Sequence, residues 1–211
     1  MSATNEVPKI VVDLADLCSS QEKFIDKTAQ NANITRKTAW AVANTVRTLT
    51  MSSGTPGTWP YFAIPALTLV PAKGPLPDSD AFRQTYDFAC SSNIFAERRL
   101  CGSMLAGPGS ESDEFADVGF WCGEIDESSK EISILNSLSL NSWVEKGTIT
   151  RLENAPLTTL RVSEIWELFE GLKDILEFRV ERPDSGGRVI HAVAGRGLGG
   201  WCGMIGIGVW T

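Results

Sequence analysis

An α+β fold, with a helical N-terminal part followed by an antiparallel β-sheet covered by one helix, is what this 211-residue sequence predicts. Three observations lead there. Apolar residues recur at helical spacing through the first hundred positions, and they switch to period-two alternation beyond residue 115. The strongest helical stripe of the chain, at 163–176, lies among those alternating segments and needs a sheet to rest on.

Each element follows from a local pattern. Ser19 and Glu22 stand at capping-box spacing, and Phe24, Ile25, Thr28, Ala29 and Ala32 then share one helical face. A second helix from Thr35 is expected to bury Ala39, Trp40, Ala43 and Val46, to turn Arg36, Lys37 and Arg47 outward, and to end by Gly54-Thr55-Pro56-Gly57. Residues 54–78 hold most of the ten prolines around an apolar run interrupted by Pro65, which predicts an edge strand or extended connector. Helix returns from Asp78 to about Leu105, with Phe82, Tyr86, Ala89 and Cys90 on one face.

In the second half, Ile132, Ile134, Leu138 and Leu140 alternate with serines as in a half-buried strand, which would pair with Phe120–Ile125 through the turn at 126–130. The helix at 163–176 has Ser163 as N-cap and Ile165, Leu168, Phe169, Leu172, Ile175 and Leu176 as its stripe. A further hairpin joins Phe178 and Val180 to 189–194 through Pro183-Asp184-Ser185-Gly186-Gly187. The organisation expected is one domain over 1–211: helical front 10–53, Pro/Gly connector 54–78, helix 79–105 and β-rich part 115–211.

Composition narrows the chemistry. The formal charge is −7, and residues 106–211 carry 17 acidic against 9 basic side chains. That half repels phosphate backbones, so direct nucleic-acid binding is disfavoured. One histidine in the chain excludes His-rich zinc sites and two-imidazole relays. No secretory leader and no membrane-length apolar run is evident, and an odd number of dispersed cysteines fits reduced thiols; the expected location is cytoplasmic.

The motifs each have a plain structural reading. Gly195-Arg196-Gly197-Leu198-Gly199-Gly200 matches G-x-G-x-x-G, but only 11 residues follow it, too few for the helix and acidic residue that a dinucleotide fold requires. These glycines are expected to form a turn, and no nucleotide or other cofactor and no metal is expected. The pattern G-x-W-C-G-x-I occurs at 119–125 and again at 199–205, without the second cysteine of a dithiol motif. It predicts two equivalent strands, each with Trp on one face and Cys on the other; the alternative places Cys122 and Cys202 side by side.

Catalytic candidates are His191, Asp126, Glu127, Asp117 and Arg196, which would need to converge to act as acid, base and electrostatic clamp. Candidate partner-binding residues are Trp59 beside Pro60, Trp210 next to the C-terminus, and the acidic Glu111, Asp113 and Glu114. Thr35-Arg36-Lys37-Thr38-Ala39, between an amphipathic front and a β-rich body, is similar to the junction of actinoporin-type pore-forming proteins over those few residues. That family's tyrosine-rich headgroup cluster has no counterpart, Tyr61 and Tyr86 being the only tyrosines.

The function expected from these residues is a non-enzymatic interaction or self-assembly protein, a structural, particle-forming or matrix-like component with a protein partner or its own copies. The alternatives are a membrane-active protein that uses residues 10–50 on an anionic surface, and a metal-independent enzyme working through carboxylates.

Overall fold

The computed structural model describes residues 11–51, 59–99, 101–107, 113–152 and 167–210. The chain is α+β. Its strands form one eight-stranded sheet in the order β1-β2-β3-β4-β8-β7-β6-β5, comprising β1 (Val11–Asp13), β2 (Tyr61–Ala63), β3 (Thr68–Val70), β4 (Val118–Gly123), β5 (Thr148–Arg151), β6 (Lys173–Glu181), β7 (Arg188–Gly197) and β8 (Gly200–Val209). Neighbours are antiparallel except β3 and β4, which are parallel. A parallel pair needs a long crossover, and helix α4 (Ser79–Arg99) supplies it.

Helices cover both faces. On one face α1 (Leu14–Ser19), α2 (Gln21–Ala32), α3 (Arg36–Met51), α5 (Lys130–Ser137) and α6 (Asn141–Lys146) bury Phe24, Ile25, Val46, Leu49, Leu135 and Trp143 against Phe62, Phe120, Phe178, Ile190 and Ile205. On the other, Phe82 and Phe88 of α4 pack with Phe169, Trp121, Val193 and Met204. Phe88 stacks on Phe169 with ring centroids 4.8 Å apart.

The repeated G-x-W-C-G-x-I segments become adjacent antiparallel strands, with Trp121 opposite Cys202 and Gly123 opposite Trp201. Because successive residues alternate faces, Cys122 and Trp201 join the first core, while Trp121 and Cys202 join the second. The two cysteines therefore lie on opposite faces and both are free thiols. Burial keeps them protonated, pushing Cys202 up to about 12 and Cys122 well above its ordinary value. The glycine run forms the β7–β8 turn as expected: Gly199 sits at φ 71°, a left-handed conformation that glycine adopts without strain.

Several local readings are corrected. Residues 132–140 are not a strand: Lys130–Ser137 is helix α5, and Ile134, Leu135 and Leu138 are its buried side. Apolar residues at i, i+1 and i+4 satisfy a helix as well as the serine alternation satisfies a strand, and α6 follows it directly instead of a hairpin partner.

Of the helix expected over 163–176, residues 167–169 are helical, and the part at 163–166 lies outside the described residues. Gly171 follows the helical residues, and from Lys173 the chain is strand β6, where Leu176, Phe178 and Val180 alternate into the core. Seven residue pairs tie β6 to β7, and that pairing overrides the helical spacing of Ile175 and Leu176.

Around Pro65 the chain makes the β2–β3 hairpin with the proline in its turn, so β2 and β3 are interior strands and the short β1 takes the edge. The Ser19–Glu22 capping box does not form. Ser19 closes α1 and Ser20 is the N-cap of α2 without a side-chain bond, while Glu22 joins Asp26 in an exposed pair with Arg36. On α3 the buried line runs Ala39, Val42, Ala43, Val46 and Leu49, leaving Trp40 39% exposed rather than in the core.

Candidate functional site

The catalytic candidates do not converge on one site: Arg196 and Glu127 meet, and His191 lies on the opposite face of β7. On β7, His191 shares a face with Val193, while Arg196 points to the opposite one with Ala192 and Ala194. Arg196 pairs with Glu127 and lies 3.6 Å from Glu124. Lys130 sits 3.0 Å from Glu127 and 4.9 Å over the Trp201 ring. Lys130 and Arg196 hold the Glu127 carboxyl below its usual range. This cluster ties the turn at 127–129 to the β7–β8 hairpin. Asp126 is exposed and accepts from Ser128 N at 2.9 Å, which lowers its carboxyl in the same way.

Asp117 is wholly buried. Its carboxylate accepts from the hydroxyls of Ser92 and Ser103 and from the amides of Met104 (2.8 Å) and Leu105 (3.3 Å). Burial raises its pKa and those four bonds oppose the rise. The carboxylate lies over β8, where a Cβ on Gly206 would come 2.1 Å from Asp117 Oδ1, so only glycine fits there. Asp117 is thus a structural anchor for the segment 103–106.

His191 packs between Arg179, opposite it on β6, and the Trp210 ring, centroid to centroid 6.4 Å. Burial first and Arg179 second bring the imidazole down to about 4. Glu177, its diagonal neighbour on β6, is pushed by burial up to about 7. His191 Nε2 and Glu177 Oε2 have no hydrogen-bond partner.

The two groups have opposite linkage to folding. Between about 4.5 and 7 the native state holds the Glu177 proton and the unfolded chain does not, so that contribution to stability falls as pH rises. Between about 4 and 6.5 the unfolded chain holds the His191 proton and the native state does not, so that contribution rises with pH. Relative to wild type, Glu177→Gln is expected to make stability climb more steeply with pH through this range, and His191→Gln to make it fall. Urea midpoints measured across the range check both signs.

The surface features that do gather lie at the rim where β7 begins and β8 ends. Arg188 opens β7 and pairs with Val209. Trp210 follows, fixed by its amide to Gly187 O at 3.0 Å, and is 46% exposed. One cleft of about 380 Å³ is walled by Trp210, Val189, Arg179, Arg182 and Arg188. A second, of about 490 Å³, is walled by Trp40, Asn44, Arg47, Thr48, Glu114, Phe115 and the same Arg188. A third, of about 370 Å³, adjoins it through Phe115 and carries Thr35, Thr38, Glu97 and Asp113.

Local chemistry places these groups. Trp40, Asn44 and Arg47 fall on one stripe of α3 beside its buried line, and Asn44 Nδ2 donates to Glu114 O at 3.2 Å, holding the 113–116 segment against the helix. Arg179 pairs with Glu181 at 3.0 Å. Arg182 pairs with Asp184 at 2.7 Å and stacks over Trp143. Arg188 has no carboxylate partner among the described residues; its Nη1 donates to Ser185 O at 3.3 Å. It is a solvent-exposed guanidinium shared by two clefts.

Of the partner-binding candidates, Trp210 is on this rim, Glu114 borders the second cleft and Asp113 the third. Trp59 is only 7% exposed and belongs to the core rather than to this rim. Glu111 lies outside the described residues. Arg188, Trp40, Arg179 and Arg182 were missed. The signal available was three arginines, Arg179, Arg182 and Arg188, spread over one hairpin of an otherwise acidic half.

No described helix is long and apolar enough to cross a membrane. Comparison of the chain with protein-family models, curated proteins and solved structures found no match.

Proposed function

We propose that this chain is a non-enzymatic interaction module that docks a partner protein on the β7–β8 rim. The observation that carries the reading is Arg188, a cation without a carboxylate partner among the described residues that two clefts share, each with a half-exposed tryptophan as its wall. Trp and Arg are the residue types that dominate binding hot spots, and a central charged anchor between apolar seats is how such surfaces combine affinity with specificity. The scattering of the catalytic candidates over both sheet faces, none of them lining these clefts, favours docking over carboxylate catalysis.

The test is affinity capture from the source cells together with sedimentation over a concentration series, comparing wild type with the Arg188→Glu/Trp210→Ala double variant. Both changes are at exposed positions, and circular dichroism checks that the variant keeps its fold. The expected result is a discrete partner, or a self-associated species, present with wild type and lost with the variant. A strict monomer whose captured set is the same for both proteins contradicts the proposal.

A further inference from the structure

The occupant of this rim has a readable chemistry, and the inference rests on the docking reading above. We infer that the rim recognises an extended segment of a partner protein with one carboxylate side chain flanked by large apolar side chains two positions away on either side. The guanidinium of Arg188 is a planar fork suited to bidentate contact with a carboxylate, and it stands between the Trp210 cleft and the Trp40 cleft. In an extended chain, residues i−2, i and i+2 share one face about 7 Å apart. A carboxylate at i on Arg188 therefore directs the side chains at i−2 and i+2 toward the two tryptophan walls.

The rim also says what the occupant is not. Glu114 borders one cleft and Glu181 the other. Glu181 is already engaged by Arg179, and Arg182 by Asp184, whereas Arg188 has no carboxylate partner among the described residues; one such guanidinium suits one carboxylate better than the successive charges of a phosphate backbone. With a chain charge of −7, a single well-placed carboxylate is favoured over a polyanion.

The experiment is selection of random displayed peptides on the full chain, followed by fluorescence polarisation of the selected peptides and of a labelled oligothymidylate. Wild type, Arg188→Glu, Trp40→Ala and Trp210→Ala are compared. The selected peptides are expected to share an acidic residue with large apolar residues at the two flanking positions. Arg188→Glu is expected to weaken them about tenfold or more, and each tryptophan variant by several-fold. Changing the peptide's acidic residue to lysine is expected to restore binding to Arg188→Glu, a rescue that a misfolded variant cannot give.

Selected peptides that depend on Trp40 and Trp210 but lack the acidic residue overturn this inference and leave the docking reading standing. Oligothymidylate bound through Arg188 in preference to any peptide overturns it in favour of nucleic acid. Failure to enrich any peptide overturns it as well, while partner loss in the capture experiment decides the docking reading separately.

Discussion

Replacing Asp117 by alanine is expected to destabilise the protein by about 3–5 kcal/mol, measured by urea unfolding. The reason is the number of donors it leaves behind. The Ser92 and Ser103 hydroxyls and the Met104 and Leu105 amides all point at this one carboxylate, which is fully buried. Ser92 belongs to α4 and the other donors to the segment after it, so the change also loosens that segment from β8.

Asp117→Asn is expected to cost much less, because the amide keeps one accepting oxygen and carries no charge into the interior. Its pH dependence is a second readout. Asp117 has a pKa above its ordinary value in the fold, so the native state holds the proton more tightly than the unfolded chain and this group's contribution falls as pH rises. Relative to wild type, the Asn variant should therefore gain in stability as pH rises above the ordinary carboxylate range.

The second large effect is at Trp143, where substitution by alanine is expected to cost about 3–5 kcal/mol. The indole is 1% exposed. Its Nε1 donates to Leu49 O at 3.3 Å, joining α6 to α3, and the Arg182 guanidinium stacks over the ring at 4.9 Å. Removing it opens a cavity between the helical layer and β6 and frees Arg182, a wall of the Trp210 cleft. Trp143→Phe should recover most of the stability, since it refills much of the volume and loses only the indole hydrogen bond.

Much of the fold was legible where one local pattern had one interpretation. The stripes of α2 and α4, the β6–β7 hairpin over its Pro-Asp-Ser-Gly-Gly turn and the two W-C-G strands are each dictated by residues close in sequence. Failures came where two periods coexist. Ile134, Leu135 and Leu138 serve a helix although serines alternate among them, and Ile175 and Leu176 continue a helical stripe that strand pairing with β7 overrides.

The site was harder to read than the fold because it is assembled from distant segments. Arg188 acquires its meaning only when α3 lies on one side and Trp210 on the other, contacts that no local spacing encodes. Asp117 looked like one carboxylate in an acidic stretch, and nothing nearby in sequence tells that it alone is enclosed. The single histidine, which narrows the chemistry so sharply by its rarity, ends beside Trp210 next to the rim.

On the proposed reading, Trp40, Arg188 and Trp210 form one docking face. Hydroxyl-radical footprinting of the chain with and without its captured partner tests it most directly, because both tryptophans are exposed and reactive, while Leu76, Ile94 and Leu198 are exposed apolar references elsewhere on the molecule. The partner is expected to suppress oxidation of Trp40 and Trp210 together and to leave the references unchanged. Undiminished oxidation of both tryptophans, with protection falling on Leu198 or Ile94 instead, would contradict it.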